Sequence, residues 1–249
     1  MQSEKSGGWR GRPGPPASWE NLPMRVFAIA DIHGVPRVYQ WLVALAEVKP
    51  PDLLILAGDL LLGGWEDEQR EQASKDILPL LKRLPMPVFY LMGNDDNVSL
   101  DYEDEQIKPL HGRRLDLGGY NFVGYQYSPR FSGGTFEKTE QEIESDVRNL
   151  ESLLDEKTVF VTHSPAYGFA DCVYRGEHVG SSALADLLTR KPVLAHIHGH
   201  IHNSFGHEGN HFNVAAGGIC RVVAIDLPLL THEVLVAGAE GDRKGGLDL

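Results

Sequence analysis

Five short apolar runs in this chain each end at a residue able to bind a metal ion. They are MRVFAIA before Asp31, DLLILAG before Asp59, PVFYLMG before Asn94, TVFVT before His163 and PVLAHIHG before His200. Apolar runs of about four to eight residues without polar alternation are strands buried on both faces. The first two runs are followed by VYQWLVALAEV and EDEQREQASKDILPLLKRL, whose apolar residues recur at helical period, with Pro79 set to kink or end the second. Buried strands alternating with helices make an α/β domain. In such sheets ligands sit in the crevice beyond the carboxyl ends of the strands, so residues far apart in sequence converge on one pocket.

The middle of the chain changes character. RRLDLGGYNFVGYQYS reads as a hairpin turning at Gly118-Gly119, TFEKTEQEIESDVRNLESLLDE as a long polar-faced helix, and VGSSALADLLTR as a helix between the last two runs. HFNVAAGG, RVVAIDL and HEVLVAG add short strands. Residues 1–22, rich in Gly, Pro and polar groups, are expected to be a flexible leader, and residues 23–249 a single domain.

Taken singly, each polar exit has an ordinary reading. Asp31-Ile32-His33-Gly34 can be a turn closed by an Asx bond, Asp59 a helix cap, Gly93-Asn94-Asp95-Asp96 a turn, and His163 a core histidine bonded to a carbonyl. HGHIH at 198–202 is stronger, because imidazoles on alternate residues can address neighbouring ions. Their order along the chain, always at a strand exit, makes coincidence improbable.

In that order and spacing the chain resembles the calcineurin-like metallophosphoesterase superfamily, whose pattern is D-x-H, G-D, G-N-H-[DE], a lone H, then G-H-x-H. Matching residues are Asp31-Ile32-His33, Gly58-Asp59, Gly93-Asn94-Asp95-Asp96, His163 and Gly199-His200-Ile201-His202, within about 24–236. THSPAYGFAD and GEHVGSSAL are similar to segments of a prokaryotic subgroup. The resemblance implies a four-layer αββα sandwich of two mixed β-sheets flanked by helices. It implies two divalent metal ions, of which Mn, Fe, Zn, Ni or Mg suit such ligands. Asp31, His33, Asp59 and His202 would hold one, Asp59, Asn94, His163 and His200 the other, with Asp59 bridging. His198 would then belong to the strand interior or stand behind the ligands. The implied activity is hydrolysis of a phosphoester by hydroxide held between the metals, with Asn94, Asp95 and His163 in the catalytic group.

Asp95 departs from the family, where a histidine follows Gly-Asn and assists the leaving group. Half protonation of a carboxyl at pH 7 needs a rise of roughly three pKa units, about 4 kcal/mol, and two adjacent cations push the other way. Asp95 is therefore a poor proton donor, and its charge repels a dianionic monoester more than a monoanionic diester. A preference for diesters or good leaving groups follows. Asp96 is expected to orient a neighbour.

The chain carries no G-x-S-x-G, C-x-x-C or G-x-x-x-x-G-K-[ST] element, so neither a side-chain nucleophile nor ATP-driven work is indicated. The net charge of −12 disfavours nucleic acid and leaves small phosphoester substrates. Arg113, Arg114, Arg130 and Arg175 are candidate phosphate cations, and His178 and Ser181 candidate caps of the following helix. Two cysteines, no signal-peptide order and no long apolar segment point to a cytoplasmic protein without a membrane span. Two rivals stand beside this reading, a non-catalytic scaffold on the same fold and a nuclease of the same superfamily.

Overall fold

The computed structural model describes residues 23–238. The leader expected at 1–22 lies outside these residues. In chain order the described elements are β1 Met24–Ile29, α1 Pro36–Val48, β2 Leu53–Ala57, α2 Glu66–Gln72, α3 Leu78–Leu81, β3 Val88–Leu91, β4 Ile107–Pro109, β5 Arg114–Leu117, β6 Tyr120–Tyr125, β7 Ser128–Pro129 and β8 Glu137–Lys138. They continue with α4 Glu140–Leu150, β9 Thr158–Thr162, α5 Ser182–Arg190, β10 Ala195–His198, β11 Gly206–Glu208, β12 His211–Asn213, β13 Arg221–Leu227 and β14 Thr231–Val236.

Two six-stranded sheets form. One has the order β14-β13-β1-β2-β3-β4, the other β11-β12-β10-β9-β6-β5. β1 to β4 run parallel, as do β6, β9, β10 and β12, while β13, β14, β5 and β11 pair antiparallel. Both sheets are therefore mixed, as expected.

Alternation along the strands builds three cores. Met24, Val26 and Ala28 of β1 and Leu53, Ile55 and Ala57 of β2 face the second sheet, meeting Phe122, Val159, Val161 and Ile197. The intervening Phe27, Ile29, Leu54 and Leu56 face outward onto Val38, Tyr39, Leu42 and Val43 of α1 and Leu81 of α3. On the far side Val123, Tyr125 and Phe160 meet Ile143 and Val147 of α4 and Leu184 and Leu187 of α5. The central strands are covered on both faces, so β2 and β3 are apolar throughout, and the polar residues of β9 and β10, Thr158, Thr162, His196 and His198, are themselves buried. The result is the expected αββα sandwich.

Local chemistry sets the boundaries. Gly118 and Gly119 have φ of 61° and 86°, the conformation a two-residue hairpin requires, and close β5 onto β6 with Leu117 opposite Tyr120. Thr139 caps α4, its hydroxyl accepting from the Glu142 N–H while the Glu142 carboxylate accepts from the Thr139 N–H. The helix does not end at Pro79: it runs on from α2 through a π-turn over Ala73–Ile77 into α3, and the π-turn places Pro79 at the start of the next α-helical turn, where its missing N–H costs little.

Candidate metal centre

Where β1 and β2 leave their sheet, their loops stay zipped together. The N–H groups of Asp31, His33 and Gly34 donate to the carbonyls of Gly58, Asp59 and Leu60 at 2.9, 2.9 and 3.0 Å. From the other sheet the His163 N–H donates to the Tyr125 carbonyl at 3.2 Å and the Gly199 N–H to the His163 carbonyl at 3.0 Å. The His200 N–H then crosses between sheets to the Asp31 carboxylate, 2.9 Å from Oδ2. The Asp95 N–H donates to Asp59 Oδ1 at 2.9 Å, bringing in the β3 exit, so all five exits face one crevice.

The backbone there is strained. Asp31, His33, Asp59 and His200 have φ of 57°, 50°, 53° and 69°, in the left-handed region that side-chain-bearing residues seldom enter. Strain of about 1–3 kcal/mol per residue persists only where surrounding structure enforces it, typically at functional sites. The glycines are equally constrained. A Cβ on Gly58, whose φ is 97°, would lie 2.3 Å from His163 Nδ1, and one on Gly93 2.2 Å from Asp59 Oδ1. Closeness of approach explains the Gly-Asp and Gly-Asn pairs.

Asp31, Asp59, Asn94 and His163 are buried, and His33 and His200 partly so, while His202 is exposed. His202 Nε2 lies 3.1 Å from Asp31 Oδ1 and 3.3 Å from His33 Nε2. His163 Nε2 lies 3.0 Å from Asn94 Oδ1 and 3.4 Å from Asp59 Oδ1. The His200 ring meets the His163 ring edge-on, with centroids 5.2 Å apart. One potential ligand atom from each of Asp31, His33 and His202 falls within 4.8 Å of the others; the same holds for Asp31, Asp59 and His163, and for His33, Asp59 and Asp95. Asp59 therefore belongs to clusters on both sides.

Protonation makes the centre a good fit for cations. His163 Nδ1 faces the Ala57 carbonyl at 3.0 Å, which fixes the proton on Nδ1 in the neutral ring and leaves the Nε2 lone pair aimed at two oxygens. That arrangement needs a positive charge between them. Burial opposes charging His163, but the Asp59 carboxylate outweighs it and lifts the pKa to about 10. Burial likewise pushes Asp59 up, yet His163 holds it below the usual carboxylate range. Carboxylate, amide and imidazole together suit borderline divalent ions.

Supporting groups surround the centre. Buried Asp96 accepts from the N–H groups of Leu60, Leu61 and Gly93 at 3.0, 2.8 and 2.8 Å, fastening the β2 exit to the β3 exit. Burial and the Asp59 charge raise its pKa to about 8. His198 ends β10 fully buried, inside the strand rather than in the crevice, and burial pushes its pKa down to about 3.

The candidate arginines fare differently. Arg113 pairs with Glu103, Arg114 with Asp155 and Arg130 with Glu142, all at the surface. Arg175 lies in the turn of a hairpin spanning Cys172 to His178. Sequence reasoning missed two neighbours of the site. Phe131 is exposed and stands edge-on to His200 with centroids 6.1 Å apart. Arg221, half-buried over the Phe205 ring, feels the Asp31 charge while burial lowers its pKa. Its position in an ordinary β13 strand gave no signal. Ser181 does cap α5, accepting from the Leu184 N–H at 3.2 Å, but His178 instead pairs with Asp171.

Comparison with known proteins agrees with this architecture. Solved structures superpose at low identity, which speaks for the fold alone. TT1561 of Thermus thermophilus matches with a TM-score of 0.66 at 16% identity, over 86% of this chain and 99% of that one. A dimetal phosphatase from Danio rerio matches with a TM-score of 0.56 at 12% identity, over 86% and 98%. Among curated proteins, a probable rhamnogalacturonate lyase C of Emericella nidulans is 25% identical over 202 residues, 76% of this chain. The chain spans only 18% of that protein's length. The family model described as calcineurin-like phosphoesterase matches residues 24–204, covering all five strand exits. On that match the chain belongs to the calcineurin-like phosphoesterase family, a family of metal-dependent phosphoester hydrolases.

Proposed function

We propose that this hydrolase binds two divalent ions bridged by Asp59 and cleaves phosphodiesters in preference to unactivated monoesters. The observation that carries the reading is the position of Asp59, which shares one cluster with Asp31 and His163 and another with His33 and Asp95. Asp31, His33, Asp59 and His202 would hold one ion, and Asp59, Asn94, His163 and His200 the other. When bound, such a pair lowers the pKa of a shared water and neutralises the oxygens of a phosphoryl group.

The chain's own residues do the positioning. His163 is oriented by the Ala57 carbonyl, and Asn94 by its Nδ2 donating to Asp95 Oδ1 at 3.0 Å, which turns Oδ1 into the crevice. Asp95 stands where the family places a histidine. Its Oδ2 lies 3.5 Å from His33 Nδ1, so its charge faces a second candidate ligand. Burial and the Asp59 charge push Asp95 above its ordinary pKa, but bound cations favour its carboxylate. A carboxylate there neither donates a proton to an alkoxide nor tolerates a dianion well, and diester preference follows.

Turnover of bis-p-nitrophenyl phosphate and serine phosphate, measured with Mn²⁺, tests the preference. The diester is expected to react faster, and faster hydrolysis of the monoester would refute it.

A further inference from the structure

A further set of ligand atoms lies outside the strand exits, in the loop between β9 and α5. Cys172 and His178 are direct partners across a small antiparallel hairpin, closed by the Val173 N–H donating to the Glu177 carbonyl at 3.0 Å and the Gly176 N–H to the Val173 carbonyl at 2.8 Å. Cross-strand partners project to the same face. Cys172 Sγ lies 3.5 Å from His178 Nδ1 and 3.9 Å from Nε2. Asp171, fully buried, completes the set with Oδ1 2.5 Å from His178 Nδ1. Ligand atoms of the three residues fall within 4.8 Å of one another.

The carboxylate is held in place before any ion arrives. Its Oδ2 accepts from the N–H groups of Gly168 and Gly180 at 3.0 and 2.9 Å, which leaves Oδ1 aimed at the histidine. A Cβ on Gly180 would sit 2.7 Å from the Ala166 carbonyl, so the strap passes as close as glycine permits. Behind it, Ser204 Oγ donates to the Cys172 carbonyl at 2.7 Å, and Asn213 Nδ2 to the carbonyls of Ala170 and Ile201 at 3.1 and 2.9 Å. The hairpin is thereby tied to the segment carrying His202.

We propose that Asp171, Cys172 and His178 form a separate zinc-class site with one position open to solvent. Thiolate, imidazole and carboxylate are the ligand types zinc takes, usually tetrahedrally. Tetrahedral zinc with sulfur at ~2.3 Å and nitrogen at ~2.05 Å spaces those two atoms about 3.6 Å apart. The Cys172–His178 separation of 3.5 Å already matches. When an ion enters, the Asp171–His178 hydrogen bond opens, the ring keeps its one N–H on the nitrogen that is not ligated, and the thiol proton is released to solvent. Cysteine distinguishes this site chemically from the strand exits, where the candidate ligands are carboxylate, amide and imidazole alone.

Cobalt(II) is the probe, because a thiolate-to-cobalt charge-transfer band in the near ultraviolet reports sulfur ligation. The full-length chain is stripped with chelator and titrated with Co²⁺. The band is expected in the wild type, in Cys220→Ser and in Asp59→Asn, lost in Cys172→Ser, and displaced to at least tenfold higher Co²⁺ in His178→Ala. No band in the wild type, or one that follows Cys220, would overturn the site. Loss of the band in Asp59→Asn would overturn its separateness.

Discussion

The Asp95 carboxylate joins two candidate ligands, with Oδ1 accepting from Asn94 Nδ2 at 3.0 Å and Oδ2 lying 3.5 Å from His33 Nδ1. Groups that orient metal ligands in this way commonly account for 10–100-fold in metal affinity or activity. Asp95→Asn keeps the shape but removes the negative charge that faces His33 Nδ1. Its affinity for Mn²⁺ is expected to fall about tenfold or more, measured by competition with a chromophoric chelator. Unchanged affinity would show Asp95 to be a solvated turn residue.

Asp95→His restores the family's own residue at that position. It supplies a group that titrates near neutrality, suited to protonating a poor leaving group. The ratio of kcat/KM for serine phosphate over bis-p-nitrophenyl phosphate should rise at least about tenfold, the low end of what a positioned acid contributes. A ratio that stays level removes Asp95 from the explanation of substrate preference.

Gly93→Ala tests how tightly the crevice is drawn. The added methyl would meet Asp59 Oδ1 at 2.2 Å, the Asp59 backbone nitrogen at 2.5 Å and His163 Cε1 at 2.6 Å. None of these is the free end of a flexible side chain. Overpacking of this kind costs about 1–3 kcal/mol, and it strikes two candidate ligands directly. Urea denaturation should show that loss together with a collapse of turnover, whereas Gly63→Ala, where an added Cβ meets only open space, should leave both stability and turnover close to wild type.

His111 sets a pH dependence of stability away from the centre. Burial, with Lys138 nearby, lowers its pKa to about 4, and its Nδ1 accepts from the Gln126 N–H at 3.3 Å as a neutral ring does. In the unfolded chain it titrates near 6.5. Its contribution is therefore complete above about pH 6.5 and lost as pH falls towards 4, approaching about 1.4 kcal/mol per pH unit within that window. Stability of metal-free protein measured between pH 6.5 and 5 should fall more steeply in the wild type than in His111→Gln. Parallel curves would contradict neutral burial of His111.

Much of this was legible in the sequence because strands buried on both faces leave a nearly continuous apolar record, as in VFAIA, LLILAG and VFV. The ends of those runs also gave the candidate ligands, since a polar residue directly after such a run must stand at a sheet edge. What escaped notice depends on tertiary pairing. β4 is only Ile107–Pro109, and the ribbon of β7 and β8 has two residues in each strand, too short for any period. That ribbon is held because Glu137 accepts from the N–H groups of Phe131, Ser132 and Gly133, which in turn places Phe131 over His200. His178 read as a helix cap because Ser181 follows so closely. Only the turn at Gly176, which folds Cys172 back opposite it, shows its other surroundings.

Metal content tests the central claim most directly. Apo protein reconstituted with excess Mn²⁺ at the strand exits, with Cys172 replaced by Ser to silence the hairpin, is passed through a desalting column and assayed by elemental analysis. About two ions per chain are expected, falling to one or none when Asp59→Asn is added. A single ion in the parent, or two that survive the loss of Asp59, would contradict a pair of cations bridged by that carboxylate.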